Sequence, residues 1–282
     1  VSTGIVVDEA VRGRPASALR GLVAWYSGYR QRGVPVTRHR GLPSPYLTLI
    51  LTLDEPITVA AHPDPADPPG DYAALVGGLH TTPALITVPG RQSGVQIALD
   101  PLGARTLLGL PAGALAGADL AAEDVLGPTV AEAHDLLRAA PDWPGRFAVL
   151  DAWLLGRARS DVRLAPEVRH AWHLLAATGG SIGVAALAAG TGWSERRLRD
   201  RFAAEVGLSP KAAARVIRFD RTRRGLAARP GTEGGLARLA ADRGYFDQAH
   251  MDREFRAMAG CPPTAWLAEE RRNIQSGHHP PG

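Results

Sequence analysis

Gly244-Tyr-Phe-Asp-Gln-Ala-His-Met-Asp-Arg-Glu-Phe255 repeats the pattern of an earlier stretch, Gly192-Trp-Ser-Glu-Arg-Arg-Leu-Arg-Asp-Arg-Phe202. Working outward, Leu187-Ala188-Ala189 and Leu239-Ala240-Ala241 precede the two turns. Gly207 with Ser209-Pro210, and Gly260 with Pro262-Pro263, follow them. The offset is 52 residues up to the Gly-aromatic pair and 53 beyond it. Each copy is a short Ala-rich helix, a Gly turn without a Cβ penalty, and an amphipathic helix stopped by a second Gly. That is the layout of a helix-turn-helix, whose second helix fits the major groove of DNA.

In the first unit Ser194 stands at the N-cap position. Leu198 and Phe202, four residues apart, turn inward, which leaves Glu195, Arg196, Arg199 and Asp200 outside near the helix start. Arginine can grip guanine O6/N7 with two bonds, and a carboxylate can accept from cytosine N4. In the second unit Met251 and Phe255 are the inward pair, and Gln248, Ala249, His250 and Arg253 face out; glutamine suits adenine. The structural alternative for these faces is a solvated charged surface, and for His250 a packing role at the helix start. Between the units Ser209 caps a helix that Pro210 begins and that runs to about residue 227, ~27 Å long at 1.5 Å per residue. Ala212, Val216 and Phe219 form its inner stripe. Arg215 and Arg218 are candidates for phosphate contact together with Ser194, and other arginines of this helix are expected either to solvate it or to pair with Asp220.

Charge follows the same division. Residues 1–159 carry 13 basic against 15 acidic residues, net −2, and residues 160–282 carry 19 against 13, net +6. A basic segment with this motif fits a polyanion. Cys261 is the single cysteine, which excludes an internal disulfide and a cysteine-built zinc site and suits a cytoplasmic location. The N-terminal stretch reads as no secretory signal, and no apolar run is long enough to span a bilayer.

Residues 1 to about 100 read as β-rich. Tyr46–Leu53, Ile57–Ala61, Ala84–Val88 and Ser93–Leu99 are short apolar runs bounded by Pro, Gly and Asp turns. Residues 63–70 (PDPADPPG) are an expected exposed loop. Helices are expected over 101–108, 129–140 and 143–159, the last with Phe147, Leu150, Leu154 and Leu155 on one face. Residues 160–166 are the expected domain boundary, and a helix through Val168, Trp172 and Leu175 should stop at Gly179-Gly180. The fold class is therefore α+β in two domains: a β-rich, cupin-like sandwich or barrel with helices over 1–160, and an all-α double helix-turn-helix over 167–273. Residues 274–282 read as a disordered tail.

The C-terminal hundred residues resemble the AraC-type double helix-turn-helix domain. The resemblance rests on Gly244–Phe255 followed by Gly260, Pro263 and Trp266. Two departures are visible: Pro262 stands where Ser or Thr is usual, and Met251 where Phe is common. The resemblance implies seven helices, contact with two successive major-groove segments, and control of transcription. By position it places Arg196, Arg199 and Asp200, and Gln248, Ala249, His250 and Arg253, on bases. The N-terminal region is similar to β-rich domains of actinobacterial regulators, most clearly at Pro101–Arg105 and Leu107–Pro111. The implied partners are promoter or operator duplex DNA, a small-molecule effector, a second copy of the chain and RNA polymerase, with no membrane and no cofactor. The helices over 129–159 are the expected relay or dimer surface, with ordinary packing on the β-domain as the alternative for their apolar faces. The rival reading is a cupin-like metal-dependent enzyme fused to a DNA-binding domain. Against it, His39, His62 and His80 are scattered, no His-x-His pair is present, and neither a catalytic residue nor a metal ligand is assigned.

Overall fold

A computed structural model describes residues 6–228 and 235–270. The tail expected over 274–282 lies outside them. Among the described residues are ten strands, nine of them before the first α-helix: β1 Val7–Gly13, β2 Val23–Arg32, β3 Thr37–Gly41, β4 Leu47–Thr52, β5 Ile57–Ala61, β6 Gly70–Tyr72, β7 Ala74–Gly77, β8 Ala84–Val88, β9 Arg91–Leu99 and β10 Asp119–Ala121. They form a six-stranded sheet ordered β1-β2-β9-β4-β7-β10 and a four-stranded sheet ordered β3-β8-β5-β6. The four strands expected from apolar runs are β4, β5, β8 and β9. Their inward side chains, Leu47, Leu49, Leu51, Val95, Ile97 and Leu99, are fully buried.

Four helices attach to the sheets: α1 Ala104–Leu108, α2 Ala122–Leu126, α3 Thr129–Ala139 and α4 Trp143–Arg157. Pro at its first turn and an Asp142 carboxylate accepting from Gly145 N–H start α4. Two glycines let α4 lie flat on the larger sheet. A Cβ at Gly28 would come within 2.3 Å of Trp143, and one at Gly13 within 2.5 Å of Phe147. Trp143 Nε1 donates to Glu9 (2.8 Å) and Tyr26 Oη to Asp151 (2.8 Å), which fixes the helix. Leu155, expected inside, is instead 40% exposed, because α4 turns that face away from the sheet.

Seven helices complete the described chain: α5 Pro166–Ala177, α6 Val184–Thr191, α7 Glu195–Val206, α8 Pro210–Ala228, α9 Gly235–Asp242, α10 Gln248–Ala259 and α11 Pro263–Glu270. The two repeats are α6–α7 and α9–α10, joined by α8. Their cores differ. Leu187, Ala188, Leu198, Phe202 and Val206 of the first repeat share one continuous core with Leu107, Ala112 and Leu115 of the N-terminal part. Phe255 and Met258 of the second pack with Val216, Phe219, Leu226 and Trp266 in a separate cluster.

Candidate nucleic-acid interface and cavity

Both helices expected to read DNA begin with a side-chain cap. Ser194 Oγ accepts from Arg197 N–H (3.3 Å) and Asp247 Oδ1 from His250 N–H (2.6 Å), and both helices end at a Gly in the left-handed region. The caps and the buried Leu198/Phe202 and Met251/Phe255 pairs fix which face looks outward. Glu195, Arg196, Arg199 and Asp200 are exposed along α7, and Gln248, Ala249 and Arg253 along α10. On α7 the face is partly self-paired: Arg199 Nε lies 3.1 Å and Arg196 Nε 4.0 Å from Asp200. Exposed pairs of this kind are worth little in water.

His250 is more enclosed. Its Nδ1 accepts from Phe246 N–H (3.4 Å) and its ring stands edge-on to Tyr245. The two candidate phosphate residues of α8 point elsewhere: Arg215 Nε donates to Glu254 (2.8 Å) and Arg218 Nη2 to the same carboxylate (3.3 Å). Glu254 is not legible as a site residue in the sequence, because on a helix with two arginines and two carboxylates it reads as surface; the fold buries it. Asp220 holds Arg223 (2.6 Å) and Arg224 (2.7 Å), the pairing the sequence suggested. Phe246, also not anticipated, is 92% exposed at the mouth of α10.

The β-domain encloses a cavity of about 150 Å³. One wall carries Ser27, Gln96, Thr48 and Asp119, from β2, β9, β4 and β10 of the larger sheet, and the opposite wall is apolar, with Ile57, Val59 and Ile86 of the smaller sheet. Its rim holds Arg12, His39, Arg40 and, from α8, Arg223. Arg12 stacks on Trp25 at 3.9 Å. Burial pulls its pKa down to about 10, and Arg224 and Arg223 add to the effect. Behind the floor His62 Nδ1 lies 2.9 Å from Asp119 and its Nε2 3.3 Å from Tyr72 Oη. Among the described residues no group of three or more His, Cys, Asp and Glu could hold a metal ion.

Burial pushes the His39 imidazole down to about 4; Arg223 adds to the shift and Glu269 opposes it. Folding thus holds His39 neutral. Between pH 6.5 and about 4 the unfolded chain takes up a proton that the folded chain refuses, so this contribution is complete above pH 6.5 and is lost as pH falls through that window. His39→Gln is expected to flatten the pH dependence of urea stability between pH 7 and 4.5 by up to about 2 kcal/mol. An unaltered slope would show that His39 is not the group responsible.

The helical part meets the β-domain through a shared apolar core, through Trp172 Nε1 donating to Asp100 (3.4 Å), and at two further joints that carry ion pairs. The helices α3 and α4 pack on each other, and α4 on β1, which is the ordinary packing that stood as the alternative to a relay or dimer surface. At the first joint the 3-10 turn Ala112–Leu115 presses on α7, and Arg105 Nε (2.7 Å) and Nη2 (2.9 Å) grip Glu205. At the second, Arg40 of β3 donates to both Glu269 oxygens (2.9 and 3.3 Å) and to the Ala259 carbonyl (3.3 Å).

A family model described as a helix-turn-helix domain matches residues 187–269, the span from α6 to α11. Residues 187–269 are an AraC-type helix-turn-helix domain. A second model, described as a domain of unknown function (DUF6597), matches residues 12–121, which run from β1 to β10. No curated protein sequence matches the chain. Among solved structures the fold is similar to ToxT from Vibrio cholerae, with a TM-score of 0.50 at 9% identity over 88% of this chain and 98% of that one. ToxT has also been solved bound to (E)-4-(8-methylnaphthalen-1-yl)but-3-enoic acid, with the same TM-score, identity and coverage. A probable AraC family transcriptional regulator from Rhodopseudomonas palustris is 28% identical over 37% of this chain and 97% of its own, with a TM-score of 0.32. The AraC-type domain joined to a two-sheet β-domain makes the chain a DNA-binding transcription regulator. Among the described residues no helix is long and apolar enough to cross a membrane.

Proposed function

We propose that the regulator reads two successive major-groove segments, one with Glu195, Arg196, Arg199 and Asp200 of α7, the other with Gln248, Ala249, His250 and Arg253 of α10. The observation that carries this reading is the paired exposure of the same face on two capped helices whose inner faces are buried. Ser194 reaches phosphate from the α7 cap, and Arg215 and Arg218 do so only on leaving Glu254. The cavity domain acts as a sensor and not as a catalyst. Its effector has an apolar body for the Ile57/Val59/Ile86 wall, hydrogen-bonding groups for Ser27, Gln96 and Thr48, and an acceptor-rich or anionic end for the arginine rim. Because Arg40 belongs to both the cavity lining and the second joint, and Arg223 reaches the cavity from α8, occupancy can favour one arrangement of the second repeat over another, and only such differential affinity shifts an equilibrium.

Duplexes selected from a random library by the full-length protein test the reading. Arg199→Ala and Gln248→Ala are each expected to cost about 1–3 kcal/mol and to relax preference at different bases, about one helical turn (~34 Å) apart. Both losses falling on one base step would rule out docking in two segments.

A further inference from the structure

Among the positions at which the two repeats diverge in burial is that of Glu254. By the 53-residue offset the counterpart of Glu254 is Arg201, which is exposed on α7. Glu254 is buried: its side chain is 11% exposed, and it accepts from Arg215 Nε and Arg218 Nη2, three residues apart on α8. His250 Nε2 of α10 stands 3.7 Å from the same carboxylate. The contact extends beyond the charges. The Arg218 guanidinium lies 5.0 Å over the Tyr245 ring, and Tyr245 Oη is 3.3 Å from Thr222 Oγ1. Three successive positions along α8 therefore grip the turn and the reading helix of the second unit.

The helix that supplies this grip is anchored in the first unit as well. Ala213, Ala214 and Ile217 of α8 belong to the core that contains α7, whereas Val216, Phe219 and Leu226 belong to the core that contains α10. With both ends embedded, α8 acts as a ruler of 19 residues, ~28 Å long. What its apolar contacts leave open is how far α10 can roll or slide against it, because apolar contact is non-directional. A carboxylate forked between two guanidinium groups has defined bond directions and removes that freedom.

We propose that Glu254 is the positioning residue that sets the base-pair spacing accepted between the two DNA segments. The inference rests on the two-segment reading above. Glu254 has a second consequence by the same geometry: it keeps Arg215 and Arg218 off the phosphates. Neutralising it frees two cations for the DNA backbone, so spacing discrimination falls while sequence-independent binding rises. A merely structural defect would weaken both.

The test uses the full-length chain and a duplex selected by it from a random library, the same duplex with one base pair inserted or removed between the two protected segments, and a scrambled duplex. The wild type is expected to prefer the native spacing by on the order of 100-fold, since a shifted segment mismatches several bases at once. Glu254→Gln is expected to bring that ratio below about tenfold, to tighten binding to the scrambled duplex, and to steepen the log–log salt slope by up to about two units, ~0.9 for each phosphate gained. Arg215→Gln removes only the more exposed arm of the fork; it should loosen spacing without steepening the salt slope. A spacing ratio unchanged in Glu254→Gln overturns the proposal. So does an equal loss on every duplex in both variants accompanied by a lower melting temperature. A wild type that selects no duplex, or protects a single segment, overturns the two-segment reading itself and this proposal with it.

Discussion

Replacing Gly113 with leucine is expected to lower the stability of the folded chain by about 3 kcal/mol, the upper part of the usual cost of overpacking. A Cβ at this position would lie 2.2 Å from the Ala204 carbonyl oxygen and 2.8 Å from that of Ala203. Both atoms are helix backbone, which cannot swing aside as the end of a flexible side chain can. The contact is reinforced on either side: Arg105 grips Glu205, and a Cβ at Gly207 would meet the Ala112 carbonyl at 3.0 Å. Since Ala203 and Ala204 lie on α7, the variant should also impair DNA binding through the first repeat while leaving the α10 bases discriminated as before. Guanidinium denaturation measures the first effect and binding to duplexes altered in one segment at a time measures the second. A loss below about 1 kcal/mol would mean that the joint yields, and that α7 is not rigidly tied to the sensor domain.

The parts of this molecule that were legible in its sequence are those fixed by local pattern. β4, β5, β8 and β9 are continuous apolar runs between turn residues, and the reading helices follow from a spacing that occurs twice. β2 escaped notice because its buried side is partly polar. Ser27 and Gln31 sit among its inward residues, and Gln31 is satisfied by both neighbouring strands: it donates to Asp8 of β1 (2.9 Å) and accepts from Gln92 Nε2 of β9. β10 is three residues long and becomes a strand only by pairing with β7. The same limit applies at the sites. The Arg40–Glu269 contact joins residues 229 apart, and the Glu254 fork joins α8 to α10 across 36 to 39 residues. On a helix with several arginines every cation looks solvated until the partner's burial is known; the sequence therefore assigned Arg215 and Arg218 to phosphate, and missed the carboxylate that holds them.

The repeat also predicts two equivalent phenylalanines, and the fold makes them unequal. Phe202 and Phe255 occupy the same place in the two units, and both are fully buried. Truncation of either to alanine is expected to cost about 3–5 kcal/mol. The distribution of that loss should differ. Phe202 packs against Trp172 (ring centroids 6.3 Å apart) in the core shared with Leu107, Ala112 and Leu115, so Phe202→Ala should lower protection in the first repeat and in the neighbouring part of the sensor domain together. Phe255 packs against Phe219 (5.0 Å) and Trp266 (5.7 Å) in the smaller cluster, so Phe255→Ala should release the second repeat alone, in an earlier and separate melting step. Amide hydrogen exchange resolves the two cases. Exchange should rise over residues 104–115 in Phe202→Ala only, and over 248–266 most strongly in Phe255→Ala. Equal acceleration of β4 and β9 by both variants would show one cooperative unit in place of two. The unequal outcome follows from the two cores, because only the first repeat shares its large apolar cluster with Leu107, Ala112 and Leu115, whereas Phe255 lies in the smaller cluster with Phe219 and Trp266.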